Sequence, residues 1–402
     1  MITFIIIGIL LIGFIYLDIF LYKNTFYDKY KIPEDVIFEY INEVDVFSDI
    51  NYFSLITNEN VDILSSDEKV NTESTGTKQK TISIKFNKKI YFLKMNVNVK
   101  VVTVPLVLRY QENITTSLMN VTYPCDKALY IDDYDNKPSC VIEGDISYDK
   151  VGNYPLKMTI SDKAGNKIEK NINVKVVEPG QKSSGSSNSS KPQTIYFSDV
   201  ISKYKNDSTM IGIDVSKWQG NIDFKKVKDA GCEFVIIRIG VQAGRNYDYN
   251  VDGNYKKYIE DAKNAGLKVG VYVYTTALNY EDGVKAANFV IDTLNGEKLD
   301  YGVAYDWENY QYLMNYEVSL HDLSEGYRGF KDKLTKNGIE SHFYASKYYL
   351  EKFWLNINEP VWLAHYASST NYQGKYYMWQ ITGNGKIDGI NDNYVDINIM
   401  YK

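Results

Sequence analysis

The chain has 402 residues, room for roughly two to four domains, and its 44% hydrophobic content supports a sizeable core. A net charge of −6 with no long basic run excludes a nucleic-acid binder held by ordinary electrostatics. No His or Cys spacing suits zinc or an iron–sulfur cluster, and no Gly-rich phosphate loop occurs, so neither a metal nor another cofactor is expected.

Residues 1–22 are apolar apart from Asp18, and about that length spans a bilayer as a helix. The basic start and small-residue cleavage site of a signal peptide are missing. A transmembrane helix is therefore expected at 1–22, a membrane anchor followed by a juxtamembrane segment at 23–34, with a cleaved signal peptide as the alternative. Lys23, Lys29 and Lys31 follow the span, which by the positive-inside bias would hold the body in the cytoplasm. Long translocated domains override that bias, and an extracytoplasmic body is expected here on the functional grounds given below.

The next stretch contains a repeat. Asn96-Val-Asn-Val-Lys-Val-Val102 recurs 75 residues later as Asn171-Ile-Asn-Val-Lys-Val-Val177, and Thr81-Ile-Ser83 recurs as Thr159-Ile-Ser161. Short alternating strands at this period predict two tandem β-sandwich modules, over 35–103 and 104–178. Val151-Gly-Asn-Tyr-Pro-Leu-Lys-Met-Thr-Ile-Ser-Asp-Lys-Ala-Gly-Asn166 resembles bacterial immunoglobulin-like (Ig-like) cell-surface modules, a likeness that is fainter over 35–103. They read as spacers, with wall binding as the sharper alternative. Cys125 and Cys140 share this β-rich stretch and are a possible disulfide; two free thiols are the alternative. Cys232 reads as a small buried hydrophobe.

Residues 179–208 begin Pro-Gly-Gln-Lys-Ser-Ser-Gly-Ser-Ser-Asn-Ser-Ser-Lys-Pro-Gln and are expected to be a flexible linker. From 209 the pattern changes to strands alternating with helices. Strands are predicted at 210–215, 233–239, 267–274, 301–307, 341–345, 361–366, 375–380 and 394–399, and helices at 222–230, 252–265, 281–294 and 321–337. Such alternation implies a parallel sheet, and eight strands with too few helices imply an α/β modified TIM-like barrel over 209–402. Active sites of that architecture sit at the C-terminal ends of the strands.

Three strand segments place carboxylates at alternating positions: Ile211-Gly-Ile-Asp-Val-Ser216, Tyr301-Gly-Val-Ala-Tyr-Asp-Trp-Glu308 and Tyr394-Val-Asp-Ile-Asn-Ile399. Residues two apart share a strand face, so Asp214, Asp306, Glu308 and Asp396 would gather at one barrel mouth. Glycosidases need one protonated carboxylic acid and one charged group beside the scissile bond, and adjacent carboxylates push each other's proton affinities apart.

Asp214-Val-Ser-Lys-Trp-Gln-Gly220, Phe234-Val-Ile-Ile-Arg238, Gly270-Val-Tyr-Val-Tyr274, Asp306-Trp-Glu308, Trp362-Leu-Ala-His-Tyr366, Trp379-Gln380 and Val395-Asp-Ile-Asn398 occur in the order seen in glycoside hydrolase family 25, which they resemble across 209–402. The resemblance implies hydrolysis of the β-1,4 bond between N-acetylmuramic acid and N-acetylglucosamine in peptidoglycan glycan strands. It implies Glu308 as general acid, with Asp306 steadying the positive charge and Asp214 and Asp396 positioning substrate or tuning Glu308. Tyr272, Tyr274, Trp362 and Tyr366, together with Trp218 and Trp379, are candidate sugar contacts, with barrel packing as the alternative. Arg238 reads as an interior ion pair. Trp307 stands where the family often has a smaller aliphatic residue and is expected to face the helices.

The whole reads as a membrane-tethered muramidase for cell-wall remodelling, located in the bacterial cell membrane with its catalytic barrel facing the wall. An inactive barrel serving as a cell-wall-binding scaffold is the alternative, to be recognised by loss of Glu308 or Asp306. A chitinase is disfavoured because the first acidic positions of its longer signature are absent. The sequence fixes no oligomeric state.

Overall fold

The computed structural model describes residues 32, 38–180, 193–243, 248–354, 357–391 and 393–402. The chain divides into two compact units, Met1–Thr103 and Val104–Lys402.

In the first unit, strands β1 (Glu43–Asp45), β2 (Asp62–Ile63), β3 (Gly76–Phe86) and β4 (Lys89–Lys100) form one sheet in the order β1-β4-β3-β2. Alternation along β4 buries Tyr91, Leu93, Met95, Val97 and Val99 on one face. Irregular chain carrying Val46, Tyr52, Leu55 and Val70 covers that face. The sandwich expected at 35–103 is therefore corrected to a single sheet among the described residues. Alternating strands announce a buried face but not whether a second sheet or a loop covers it.

The second unit opens with β5 (Leu106–Tyr110), β6 (Asn113–Ser117), β7 (Ala128–Ile131), β8 (Ser139–Glu143), β9 (Gly152–Ser161) and β10 (Lys167–Val177). Four of them form a sheet in the order β6-β10-β9-β8, and β5 pairs with β7 in a separate ladder. The sequence repeat has a structural counterpart. Asn98 of β4 and Asn173 of β10 each meet a parallel partner strand, at Glu43 and Asn113, and each lies on the second strand of an antiparallel pair. Cys125 and Cys140 are joined in a disulfide, and Cys232 is buried and free.

Of the linker segment, residues 181–192 lie outside the described residues. Beyond them β11 (Ile195–Tyr196) pairs with a barrel strand and α1 (Phe197–Tyr204) packs Phe197 and Val200 into the barrel's outer core. The barrel comprises β12 (Thr209–Val215), α2 (Phe224–Asp229), β13 (Phe234–Ala243), a short paired strand β14 (Asp248–Val251), α3 (Tyr255–Asn264), β15 (Lys268–Tyr274), α4 (Tyr280–Leu294), β16 (Val303–Asp306), α5 (Leu320–Lys336), β17 (Ser341–Ser346), α6 (Lys347–Lys352), β18 (Val361–Ala364), β19 (Tyr376–Lys386) and β20 (Val395–Tyr401). Parallel pairing runs from β12 through β19, and β20 closes the eight-stranded ring.

The ring is not wholly parallel. β20 runs antiparallel to both β12 and β19. A parallel crossover takes about a dozen residues or more, and only residues 387–394 separate β19 from β20. The short connection therefore makes a hairpin. Strand alternation sorts the barrel into two cores. Ile213, Ile237, Val271, Tyr305, Phe343, Leu363 and Ile397 face the helices. Phe234, Ile236, Ala304, Tyr344, Trp362, Met378 and Met400 fill the interior.

The membrane helix expected at residues 1–22, and the membrane location and contact that rested on it, are corrected. No helix of the described residues is long and apolar enough to cross a membrane, and residues 1–22 lie outside the described residues. The longest described helix, α5, has 17 residues and carries Asp322, Glu325, Arg328, Lys331, Asp332 and Lys333, whereas a span needs about 20 mostly apolar ones.

Candidate active site

β16 ends on Asp306, which points into the barrel mouth, and Glu308 follows two residues later. Between them Trp307 is fully buried on the helix side, as its parity predicts. Its indole N–H donates to the Ala277 carbonyl at 3.1 Å, and its ring packs against Tyr310, Phe353 and Trp354. This anchor fixes the backbone from which the two carboxyls project. Glu308 is exposed at the mouth, while Asp306 is 6% exposed and its Oδ1 is buried without a hydrogen-bond partner among the described residues.

Asp214 lies near the end of β12, and Asp396 is the second residue of β20. Because β20 runs the other way, the two are register partners at the same mouth. Asp214 Oδ2 accepts from Asn398 Nδ2 at 2.7 Å and from Gln380 Nε2 at 2.9 Å. The far ends of both amides are also fixed. Trp362 Nε1 donates to Asn398 Oδ1 at 2.8 Å, while the Tyr344 and Tyr366 hydroxyls donate to Gln380 Oε1 at 3.0 and 3.1 Å. These contacts leave each amide one orientation.

Crowding raises the proton affinity of all four carboxyls. Burial pushes Asp214 up to about 6, against the lowering effect of Asn398 and Gln380. Asp306 is raised well above the usual carboxylate range by burial and then by the charges of Glu308 and Asp214, while Arg238 pulls it down. Glu308 rises to about 6 through incomplete hydration among the surrounding groups and then through Asp214. Asp396 rises to about 8 through burial, Asp214 and Glu308. The mouth therefore retains protons into the mildly acidic range, as a site containing a carboxylic acid donor requires.

The aromatic candidates separate by depth. Tyr366 is 60% exposed and Trp218, on the turn that follows β12, is 67% exposed. Tyr274 is half-buried, sits level with Asp306 in the β15–β16 register, and donates to Asn309 Oδ1 at 3.2 Å. Trp362 and Tyr272 meet edge to face inside the barrel, where Trp362 is 2% exposed. Trp379 faces outward, donates to the His365 carbonyl at 2.8 Å and packs against Tyr204. Arg238 pairs with buried Asp252 through Nε at 3.0 Å and Nη2 at 2.8 Å.

Gln380, Asn398 and Asn309 were given no role by the sequence reading. The available signal was parity, since Asn398 shares a face with Asp396. Gly383 is a further member. A Cβ there would lie 3.1 Å from Asp396 Oδ1 and 3.3 Å from the Tyr366 hydroxyl, so a glycine keeps this wall of the cleft open. Among the described residues no group of His, Cys, Asp or Glu side chains could hold a metal ion.

Residues 213–390 match the sequence model of glycosyl hydrolases family 25. The autolytic lysozyme of Clostridium acetobutylicum is 32% identical over 184 residues, which cover 45% of this chain and 53% of that protein. Lysozyme M1 of Streptomyces globisporus is 26% identical over 201 residues, covering 44% and 64%. The chain thus spans between about half and two thirds of the length of these relatives. Among solved structures, the bacterial lysozyme from Streptomyces coelicolor shares 21% identity with a TM-score of 0.39, covering 48% of this chain and 92% of that one. The spore cortex lytic enzyme SleM of Clostridium perfringens shares 18% identity with a TM-score of 0.42, covering 49% and 68%. The likeness of this chain to glycosyl hydrolases family 25 therefore lies in the barrel, over residues 213–390.

Proposed function

We propose that the barrel is a peptidoglycan N-acetylmuramidase that cleaves the β-1,4 bond from N-acetylmuramic acid to N-acetylglucosamine. The observation that carries this reading is the pairing of solvent-facing Glu308 with buried Asp306, whose Oδ1 has no hydrogen-bond donor among the described residues. Both residues that an inactive scaffold would be expected to lose are present. Relatives named lysozymes support the same substrate class.

In this mechanism Glu308 gives its proton to the departing glycosidic oxygen as the bond from the anomeric carbon breaks. Asp306 Oδ1 accepts the N–H of the muramic acid acetamido group and turns the amide oxygen toward the anomeric carbon. That oxygen forms the new bond, and Asp306 stabilises the positive ring. A water then attacks the same carbon, gives its proton to Glu308 and releases the sugar. The Asp214 charge helps keep Glu308 protonated, and Tyr366 and Trp218 offer exposed faces to neighbouring sugars.

Mass analysis of products from purified peptidoglycan tests the reaction class. Fragments ending in reducing muramic acid are expected. Reducing glucosamine ends or anhydro ends would replace this reading with a glucosaminidase or a lytic transglycosylase.

A further inference from the structure

We infer that the β module of residues 104–178 is part of the substrate cleft and holds the carboxylate-bearing peptide that hangs from the muramic acid of the strand being cut. This inference rests on the muramidase reading above.

A cavity of about 650 Å³ lies where the module meets the barrel, within the range of small-ligand pockets. Arg109, Gln111 and Lys127 line it from the module side, and Gln311, Met314 and Asn315 line it from the barrel side. The barrel-side residues belong to a single 3-10 segment, Tyr310–Asn315, which begins two residues after Glu308. The cavity is thus continuous in chain with the loop that carries the acid. Tyr349, which stacks on Tyr310 at 3.3 Å between ring centres, lies within electrostatic reach of both Arg109 and Glu308.

The module is fixed in place. Leu108, Leu129 and Ile131 belong to the same hydrophobic core as the outer face of the barrel. The backbone N–H groups of Leu320 and His321 donate to the carbonyls of Asp132 and Asp133 at 2.8 and 3.2 Å, and Lys137 pairs with Glu317 at 2.6 Å. The disulfide from Cys125, itself a lining residue, to Cys140 braces the module-side wall. A mobile spacer needs none of these contacts.

The lining chemistry selects the occupant. Arg109 and Lys127 are exposed and make no ion pair with a described residue, and Asp126 is the single carboxylate of the lining. Two cations beside three side-chain amides suit a short peptide, whose carboxylates take the charges and whose backbone takes the amides. In peptidoglycan such a peptide is attached to the sugar that the mechanism places at Glu308. A glycan stripped of its peptides keeps a single carboxylate on the lactyl group of each muramic acid and loses the carboxylates and the backbone of the peptide.

The test compares kcat/KM on intact peptidoglycan with that on the same glycan stripped of its peptides by an amidase, for the full chain and for R109E/K127E. The ratio of intact to stripped is expected to fall about tenfold in the double variant, the loss that one charge-assisted contact accounts for. R109Q/K127Q is expected to fall between the two, which separates lost attraction from introduced repulsion. An unchanged ratio in both variants overturns the inference, whatever happens to absolute activity. A wild-type chain that cleaves neither substrate removes the muramidase reading itself, and this inference with it.

Discussion

Asn398 Nδ2 lies 2.7 Å from Asp214 Oδ2, and this contact joins the deepest charge of the site to the interior of the barrel. Through its other end Asn398 accepts from Trp362, so a buried indole sets the direction in which the amide donates. The floor of the cleft is therefore a packed polar network, and a partly satisfied network costs more than an apolar core.

Asn398→Leu keeps the volume and removes both contacts. The Trp362 N–H loses its acceptor and Asp214 loses one of two donors. A stability loss of about 1–3 kcal/mol is expected, read by chemical denaturation. Asn398 lowers the proton affinity of Asp214, so the variant should also hold the Asp214 proton to higher pH and lose activity across the neutral range.

The pH profile carries a sign that can be checked. As the proposed general acid Glu308 must be protonated to act, and its carboxyl is raised to about 6, so kcat/KM should fall as pH rises through about 6. The Asp214 charge is one cause of that elevation. In Asp214→Asn the charge is gone, Glu308 gives up its proton more readily, and the alkaline limb should move to lower pH. A limb that stays in place or moves upward contradicts the coupling.

Gly383→Ala places a methyl group 3.1 Å from Asp396 Oδ1 and 3.3 Å from the Tyr366 hydroxyl. The backbone of Gly383 needs no left-handed angle, so the variant should fold normally. Asp396 and Tyr366 must shift to accommodate it, and kcat/KM should fall about tenfold, because small misplacements at a reacting centre are costly. Thermal melting beside steady-state kinetics separates the two effects.

Removing the Cys125–Cys140 bridge, by Cys125→Ser/Cys140→Ser or by reductant, should cost about 3 kcal/mol, the chain-entropy value for a loop of this length. Denaturation with and without reductant measures it. Cys232 should not reshuffle with the pair, since burial pushes its thiol up to about 12 and leaves almost no thiolate.

Alternation in strand segments shows which side chains share a face, and this made Asp214, Asp306 and Asp396 readable as a set. It says nothing of depth along the barrel axis. Trp362 and Tyr366 share one face by parity, yet Trp362 lies at the floor and Tyr366 at the rim. Trp379 and Gln380 are neighbours in sequence on opposite faces, and the polar one, overlooked, reaches Asp214. The direction of β20 is legible only in the length of residues 387–394, a hairpin-sized gap that strand periodicity does not report. In the β modules the strands were visible, but the covering of the sheet at 35–103 depends on distant residues such as Tyr52 and Val70, which carry no period.

Glu308→Gln is the most direct measurement. Glutamine keeps the shape of the side chain and removes the transferable proton. Release of reducing ends from purified peptidoglycan should drop by at least about a hundredfold, the lower end of what general-acid catalysis contributes, while the melting temperature holds or rises. Hydrolysis at the wild-type rate by a folded Glu308→Gln protein would contradict the account.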